Sequence, residues 1–488
     1  MAAFLGYLRH QEFPSAYHRD EPSKVEQVQE GFRNLYHPVL LLETVELVRR
    51  SLGLDRQDAE AVARLGRTVS AAFMAAAAAA LVLAAGWRYS LGAGIWAGIL
   101  GGVHFRFYDV AHYFKEDTPY LAGCALFLAA AMRWRERPGE GSAIFLGLAA
   151  GIALSAKYSG LAHGVIGVLL LWVTAGRGAG RKGKMLAVYA AAMALVLGAA
   201  HFRVLIDPEV WGRIRGSLLR ETDWMLRGHE GVGQRVPHPL YLWQMYMDHR
   251  LPLLLLLGCL WPLRRMLGRT DAVVLGSHAV YLAALSCTAK YSERYLLPVY
   301  LVLFVYAAAA AMELWRRRPR DQGWRGRAAV AAGAGFAVYL LFHPVYMLVQ
   351  TDRLFREDSR AQLCAFLEEE VPGTAVLAAD GDVMLDVALG RAGLRPRRIR
   401  SAVYASDLGT IAGLRESGVT HAVVTYDSFH RFVGWGTGAA GGQEEEWDRA
   451  REFYAVLRGK GRLLWSSPPA FPKVLHPGIE LYALPDRR

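Results

Sequence analysis

Cysteine is scarce in this 488-residue chain, and the four present, Cys124, Cys259, Cys287 and Cys364, show no Cys-x-x-Cys spacing. Neither a disulfide framework nor a zinc site has a basis in that pattern. Charged residues make up only 20% of the chain against 53% hydrophobic ones, and the apolar residues gather in long runs rather than at amphipathic spacing. A soluble core is thereby excluded as the main architecture. No repeat of solenoid length is evident, and residues 1–16 hold neither a spanning segment nor a signal peptide.

Runs of about 17 to 23 apolar residues, the length that crosses hydrocarbon, predict about ten spans. They lie near 68–86, 91–106, 118–134, 142–156, 158–175, 185–205, 251–267, 271–288, 295–315 and 327–349. The fourth and fifth are short, so tilted or broken helices are expected there.

Orientation follows from Lys and Arg in the short loops. Arg133, Arg135 and Arg137, then Arg177, Arg181, Lys182 and Lys184, then Arg264, Arg265 and Arg269, and lastly the basic run from Arg316 to Arg327 share one side under alternation. That side is predicted to be cytoplasmic. The formal net charge of +12 is then mostly a topology signal, and no nucleic-acid partner is needed to explain it. The opposite side receives 107–117, the turn at Lys157, the segment 207–250, the turn at 289–295 and everything after 350. Arg49, Arg50, Arg56, Arg64 and Arg67 break this order, because alternation puts them outside and the positive-inside rule puts them in the cytoplasm. A first helix missing from the sequence would reconcile the two, and a truncated or misassigned start is the expectation.

Three domains are expected: a first extracytoplasmic loop with an acidic motif and surface helices (1–66), a transmembrane helical bundle (67–349) and a soluble extracytoplasmic α/β domain (350–488). In the last, 373–379, 419–425 and 478–483 read as strands and 406–417 and 444–459 as helices. Roughly 135 residues can hold a core of their own. The Gly-rich stretch 434–442 reads as a loop. The segment 207–250 carries six basic and six acidic residues with Trp211, Trp224 and Trp243, which suits an interfacial helix anchored among lipid headgroups.

Charge at membrane depth is costly and is kept for a task. Four ionisable clusters meet on the predicted outer face: Asp20-Glu21; the run 112–117 that ends Lys115-Glu116-Asp117; Lys157-Tyr158; and Lys290 with Glu293-Arg294-Tyr295. Each has a plainer reading. Asp20 and Asp117 precede helical segments and could cap them, with Ser23-x-x-Glu26 as a second capping signal. Lys157 could snorkel to the headgroups, and Glu293 and Arg294 could pair locally. Convergence of all four on one face favours a site.

A sugar leaving a polyprenyl phosphate for an acceptor hydroxyl needs a base for the acceptor proton, and the departing phosphate needs cations rather than a proton. One carboxylate with Lys and Arg suffices. A glycosidase would need two carboxylates flanking the bond, a demand this cluster does not express.

The chain resembles the GT-C-fold glycosyltransferases of the protein O-mannosyltransferase and aminoarabinose transferase group. The matching stretches are His18-Arg19-Asp20-Glu21-Pro22-Ser23, Asn34-Leu35-Tyr36-His37-Pro38, Tyr113-Phe114-Lys115-Glu116-Asp117-Thr118-Pro119, residues 147–157 ending in Lys157, and Glu293-Arg294-Tyr295-Leu296-Leu297-Pro298. They follow the family's order over most of residues 15–350. The resemblance implies a polytopic α-helical protein of the cytoplasmic (inner) membrane, with a C-terminal extracytoplasmic α/β domain and its active site on the outer side. It implies Asp20 as general base, Glu21 orienting acceptor or base, Asp117 as a second acid that is structural or acceptor-binding, and Lys157 and Arg294 holding the lipid phosphate. His37 and Lys290 are further candidates on that surface.

The implied reaction is an inverting transfer of one sugar from a polyprenyl-phosphate donor to a lipid, glycan or protein acceptor, with membrane lipids as the other partner. No cofactor is assigned, and a divalent cation stays open. No outer-loop Asp-x-Asp is present, and Asp380-Gly-Asp382 in the tail reads as a turn. A transporter would place its polar residues near the midplane in repeated halves, and a non-catalytic scaffold would tolerate loss of Asp20, Lys157 and Arg294.

Overall fold

A computed structural model describes residues 1–11, 18, 20–176, 178–202, 206–227, 232–234, 240–249, 260–288, 292–316, 324–391, 398–433, 437–439, 444–470 and 476–485. The chain opens with α1 (Ala2–Tyr7), α2 (Glu21–Glu30) and α3 (Leu40–Ser51), which pack on the 30-residue α4 (Ala59–Arg88). Asp58 starts α4 by accepting from the Ala61 N–H, which satisfies one of the helix's free donors. Next come α5 (Leu91–Val103), α6 (Phe105–Ala111), α7 (Asp117–Glu136), α8 (Glu140–Ala156), α9 (Leu161–Thr174) and α10 (Ala179–Ala200). The helical part continues through α11 (Pro208–Arg227), α12 (Leu240–His249), α13 (Arg269–Ser286), α14 (Leu297–Arg316) and α15 (Trp324–Leu354).

At the centre stands α7, every apolar residue of which is buried except Leu126. A helix apolar on all sides has to be enclosed, and α4, α8 and α14 enclose it. Small residues set the spacing: a Cβ on Gly123 would lie 2.5 Å from the Ala153 nitrogen of α8. Such close backbone approach is how membrane helices gain packing energy without a hydrophobic drive.

Among the described residues, three helices are long and apolar enough to cross a membrane: Ala59–Arg88, Ala179–Ala200 and Glu293–Arg316. The expected spans at 142–156 and 158–175 are shorter apolar helices, separated where the extended backbone of Lys157 breaks the run. Those at 118–134, 271–288 and 327–349 are helical as α7, α13 and α15. Of the expected span 251–267, residues 251–259 lie outside the described residues, and Trp261–Leu263 is a short 3-10 turn.

The two ends of α7 carry the charges its dipole favours, Asp117 at the start and Arg133 and Arg135 at the end. Twenty helical residues separate them by about 30 Å. At the basic end Arg135 pairs with Asp271, and Arg88 lies 3.3 Å from Glu136. The five arginines that broke the orientation pattern all have partners in their own neighbourhood. Arg49 and Arg50 pair with Glu46, Arg64 with Glu60 and Arg67 with Glu21, and Arg56 donates to the Val28 carbonyl.

The described strands are β1 (Val232–Gln234), β2 (Val376–Asp380), β3 (Arg398–Ala402), β4 (His421–Thr425), β5 (Thr437–Ala439), β6 (Arg462–Ser467) and β7 (Ile479–Ala483). β1 pairs antiparallel with β5, so three residues of the Gly-rich stretch form a strand; 434–436 and 440–442 lie outside the described residues. The other five form a mixed sheet of order β3-β2-β4-β7-β6, parallel on the β3-β2-β4 side and antiparallel beyond. Helices α16 (Ser359–Glu370), α17 (Leu385–Arg391), α18 (Ile411–Glu416), α19 (Tyr426–Val433) and α20 (Glu444–Lys460) accompany it. The strands expected from sequence are β2, β4 and β7, the three inner ones. The unexpected β3 and β6 are the edges, where exposed arginines hide the apolar signal. The expected helix 406–417 is split into the 3-10 turn Ala405–Leu408 and α18 at Gly409, whose φ of +127° no helix continues.

Asp380 ends β2 as a brace. Its carboxylate accepts from the Ala405 and Thr425 N–H groups, both at 2.7 Å, and from the Tyr454 hydroxyl at 2.8 Å. Burial pushes its carboxyl up to about 6 against those hydrogen bonds. Asp380-Gly-Asp382 is therefore a structural turn, as its sequence context suggested.

Candidate functional site

Asp20 occupies the N-cap position of α2 with Pro22 in the first turn, yet its carboxylate makes no capping bond. It turns to Lys115, whose Nζ is 2.8 Å from Oδ2, and to His18, whose Nδ1 is 3.4 Å from the same oxygen. Lys115 Nζ also sits 2.7 Å from His18 Nε2. The acid is 38% exposed and the lysine 3%, so the carboxylate is open on one side and backed by a sealed cation on the other. Burial alone would raise the Asp20 carboxyl; Lys115, His18 and Lys24 outweigh it and hold the group well below the usual range. Burial and the charge of Arg294 lower the Lys115 ammonium to about 8 against the pull of Asp20 and Asp117. Burial also lowers His18 to about 3, so its imidazole is neutral.

Asp117, which follows Glu116 at the N-cap position, is the first residue of α7. Its Oδ1 accepts from Lys157 Nζ at 2.7 Å, and Arg294 Nε stands 3.9 Å from Oδ2. Among the described residues, neither that Oδ2 nor that Nε has a hydrogen-bond partner, although both atoms are buried. Lys157 does not snorkel. Its ammonium lies 5.2 Å from the Tyr295 ring centroid, facing the turn that carries Arg294. Burial would raise Asp117, but Lys157, Arg294 and Lys115 keep it ionised below the usual carboxylate range.

Between these two groups lies Glu116, 2.8 Å from Lys24 Nζ and 3.0 Å from His37 Nε2. The backbone of the His37 loop is tied to the Lys157 turn by the Tyr158 hydroxyl, which donates to the Leu35 carbonyl at 2.9 Å. Lys24, Lys115, Lys157 and Arg294 thus face Asp20, Glu116 and Asp117, an excess of one positive charge with the imidazoles neutral. The arrangement can receive an anion. Each carboxylate is engaged by an ammonium, and among the described residues no group of three or more His, Cys, Asp or Glu side chains is placed to hold a metal ion.

Glu21 points away from its neighbour Asp20. It is fully buried and turned inward, held by Arg67 at 2.8 and 3.0 Å, and it accepts the Phe114 N–H at 2.9 Å. Consecutive helical side chains diverge by about 100°, so one acid of the pair opens to the outside and the other braces α2 against α4. Glu293 and Arg294 also part, Glu293 to Arg106 and Arg294 toward Asp117, so they are no local pair. Lys290 lies outside the described residues.

No protein-family model matches the chain, and no curated protein sequence does. Solved structures do match. The crystal structure of ArnT from Cupriavidus metallidurans bound to undecaprenyl phosphate aligns over 100% of this chain and 98% of that one, at 13% identity and a TM-score of 0.57. Its apo state gives 0.55. The archaeal oligosaccharyltransferase AglB from Archaeoglobus fulgidus, in complex with an inhibitory peptide and a dolichol-phosphate, aligns over 96% of this chain and 69% of that one, at 10% identity and a TM-score of 0.52. The fold is that of the GT-C glycosyltransferases.

Within this GT-C fold, the loop before α2, the loop before α7, the α8–α9 break and the turn before α14 supply the cluster at one end of the bundle. Sequence reasoning placed Lys115 and Glu116 in the right run without giving either a partner, and it passed over Lys24. The available signal was spacing: Lys24 follows Asp20 by four residues and lies on the same side of the helix.

Proposed function

We propose that the chain is a membrane glycosyltransferase that moves one sugar from a polyprenyl-phosphate donor to an extracytoplasmic acceptor with inversion. The observation that carries this reading is the buried Arg294 Nε beside Lys157, an N–H without a partner among the described residues in a cluster of net positive charge. A phosphate oxygen is the natural acceptor for such an orphan donor. A fold shared with an ArnT structure bound to undecaprenyl phosphate supports the same ligand class.

In the proposed reaction Lys157 and Arg294 bind the phosphate and stabilise the charge that develops on it as the bond from sugar C1 to phosphate oxygen breaks. The acceptor oxygen forms its bond to C1 from the opposite face, and Asp20 takes the hydroxyl proton. One displacement inverts the anomeric centre. The low basicity that Lys115 imposes on Asp20 suits a late proton transfer, after bonding to carbon has made the acceptor oxygen acidic. Asp117 holds Lys157 in place, Glu116 gathers Lys24 and His37, and Glu21 braces the loop that presents Asp20.

The same reading places about ten spans in the cytoplasmic (inner) membrane, with the Asp20 end of α7 and the α/β region 350–488 outside and the arginine-rich end inside. The acceptor is a lipid, a glycan or a protein. On α11, Trp211, Leu218, Leu219 and Leu226 form an exposed stripe at helical spacing while Val210 packs on Leu35 and Val39, which supports a helix lying among lipid headgroups beside the His37 loop.

The test is transfer of radiolabelled sugar from polyprenyl-phosphate donors into membrane acceptors by matched amounts of folded wild type and Asp20→Asn. Loss of transfer in the variant, by about 100-fold or more, is expected. Equal transfer by both removes Asp20 from the mechanism, and a product that keeps the donor's anomeric configuration removes the single displacement.

A further inference from the structure

Arg106 is a charge inside the bundle that the proposed transfer does not use. It lies on the buried α6, and its guanidinium forks. Nε and Nη2 both reach Asp248 of α12, the latter at 2.8 Å, while Nη1 reaches Glu293. Asp248 also accepts from the Tyr300 hydroxyl of α14 and from Gln244 Nε2, each at 2.7 Å. One guanidinium therefore ties together α6, α12 and the 3-10 turn Glu293–Leu296, and α14 joins through Tyr300.

Glu293 immediately precedes Arg294 in that turn. A 3-10 helix has about three residues per turn, so neighbouring side chains point about 120° apart. Glu293 is thus aimed into the bundle at Arg106 when Arg294 is aimed across the site at Asp117. Rotating or sliding the turn would break the first contact and misplace the second. Guanidinium placement matters because charge-assisted bonds to phosphate are directional.

We infer that Glu293, anchored by Arg106, is a positioning residue for Arg294 that sets where its guanidinium meets the donor phosphate without itself touching substrate. The inference rests on the transferase reading above. It also explains why a carboxylate stands next to a phosphate-binding arginine: Arg106 holds it on the far side, where it does not neutralise the site.

Glu293 is the member of the network suited to substitution. At 23% exposure it is the more open of the two carboxylates, and Asp248 keeps Arg106 paired when it is changed. Binding of undecaprenyl phosphate to the purified full-length protein is titrated for wild type, Glu293→Gln, Arg294→Ala and the double variant, alongside melting temperatures. Arg294→Ala should weaken binding roughly 10- to 100-fold, the loss expected for a charged hydrogen bond. Glu293→Gln should weaken it about 5- to 10-fold at an unchanged melting temperature, and the double variant should bind no more weakly than Arg294→Ala alone. Wild-type affinity in Glu293→Gln, or losses that multiply in the double variant, overturns the inference. If Glu293→Gln does not accumulate as folded protein, Glu293→Asp, which keeps the charge but shortens the reach, carries the same comparison. Folded wild type that ignores the phosphate lipid overturns the transferase reading and the inference together. Binding that needs Arg294 but is indifferent to Glu293 overturns the inference alone.

Discussion

Lys115 should impose opposite pH dependences on stability and on transfer. Its ammonium titrates near 8 in the folded chain against an ordinary lysine value of 10.5. Between those values the folded state holds fewer protons than the unfolded state, so this group's contribution to stability rises with pH across the window. Activity should move the other way, because the neutral amine above pH 8 no longer keeps the positive excess beside Asp20. A pH–rate profile should fall with an apparent pKa near 8 while thermal melts show no matching loss, and Lys115→Arg, which stays charged, should remove the fall. A wild-type rate level to about pH 9.5 would show that the charge of Lys115 is not needed.

The elements α2 and α4 are joined by the buried Glu21–Arg67 pair, in which neither side chain is more than 1% exposed. Removing one partner strands the other charge in the interior, at a cost of about 3–5 kcal/mol. Glu21→Gln should therefore lower the melting temperature clearly while the turnover of each molecule that remains folded stays within a few-fold of wild type. Calorimetry and kcat per folded enzyme separate the two effects. A variant that melts normally and loses turnover would return Glu21 to the reacting groups. The same logic of elements explains which strands were legible: β4, with its run His421-Ala-Val-Val-Thr425, is buried along most of its length, whereas β3 reads Arg398-Ile-Arg-Ser-Ala402 because one of its edges is free.

For the whole molecule, the proposed orientation makes a prediction about access. Single cysteines at Phe32, 42% exposed near the His37 loop, and at Arg137, exposed beyond the other end of α7, should label differently in a background with the native cysteines replaced. Phe32→Cys should react with a membrane-impermeant maleimide in spheroplasts and Arg137→Cys only after lysis; the reverse pattern would invert the topology. Local and periodic signals were enough to read the helical character, the basic end of the bundle, the inner strands and the stretches that meet at the site, because hydrophobic runs, loop charge and short motifs are properties of neighbouring residues. Tertiary structure alone decided which of Asp20 and Glu21 opens outward, that Lys115 and Lys24 back the acids, and that Arg106 reaches the turn of Arg294. Those partners lie far apart in the chain, 46 residues between Glu21 and Arg67 and 187 between Arg106 and Glu293. The direction in which a buried charge points depends on the packed position of its helix, which no residue's neighbours in sequence specify.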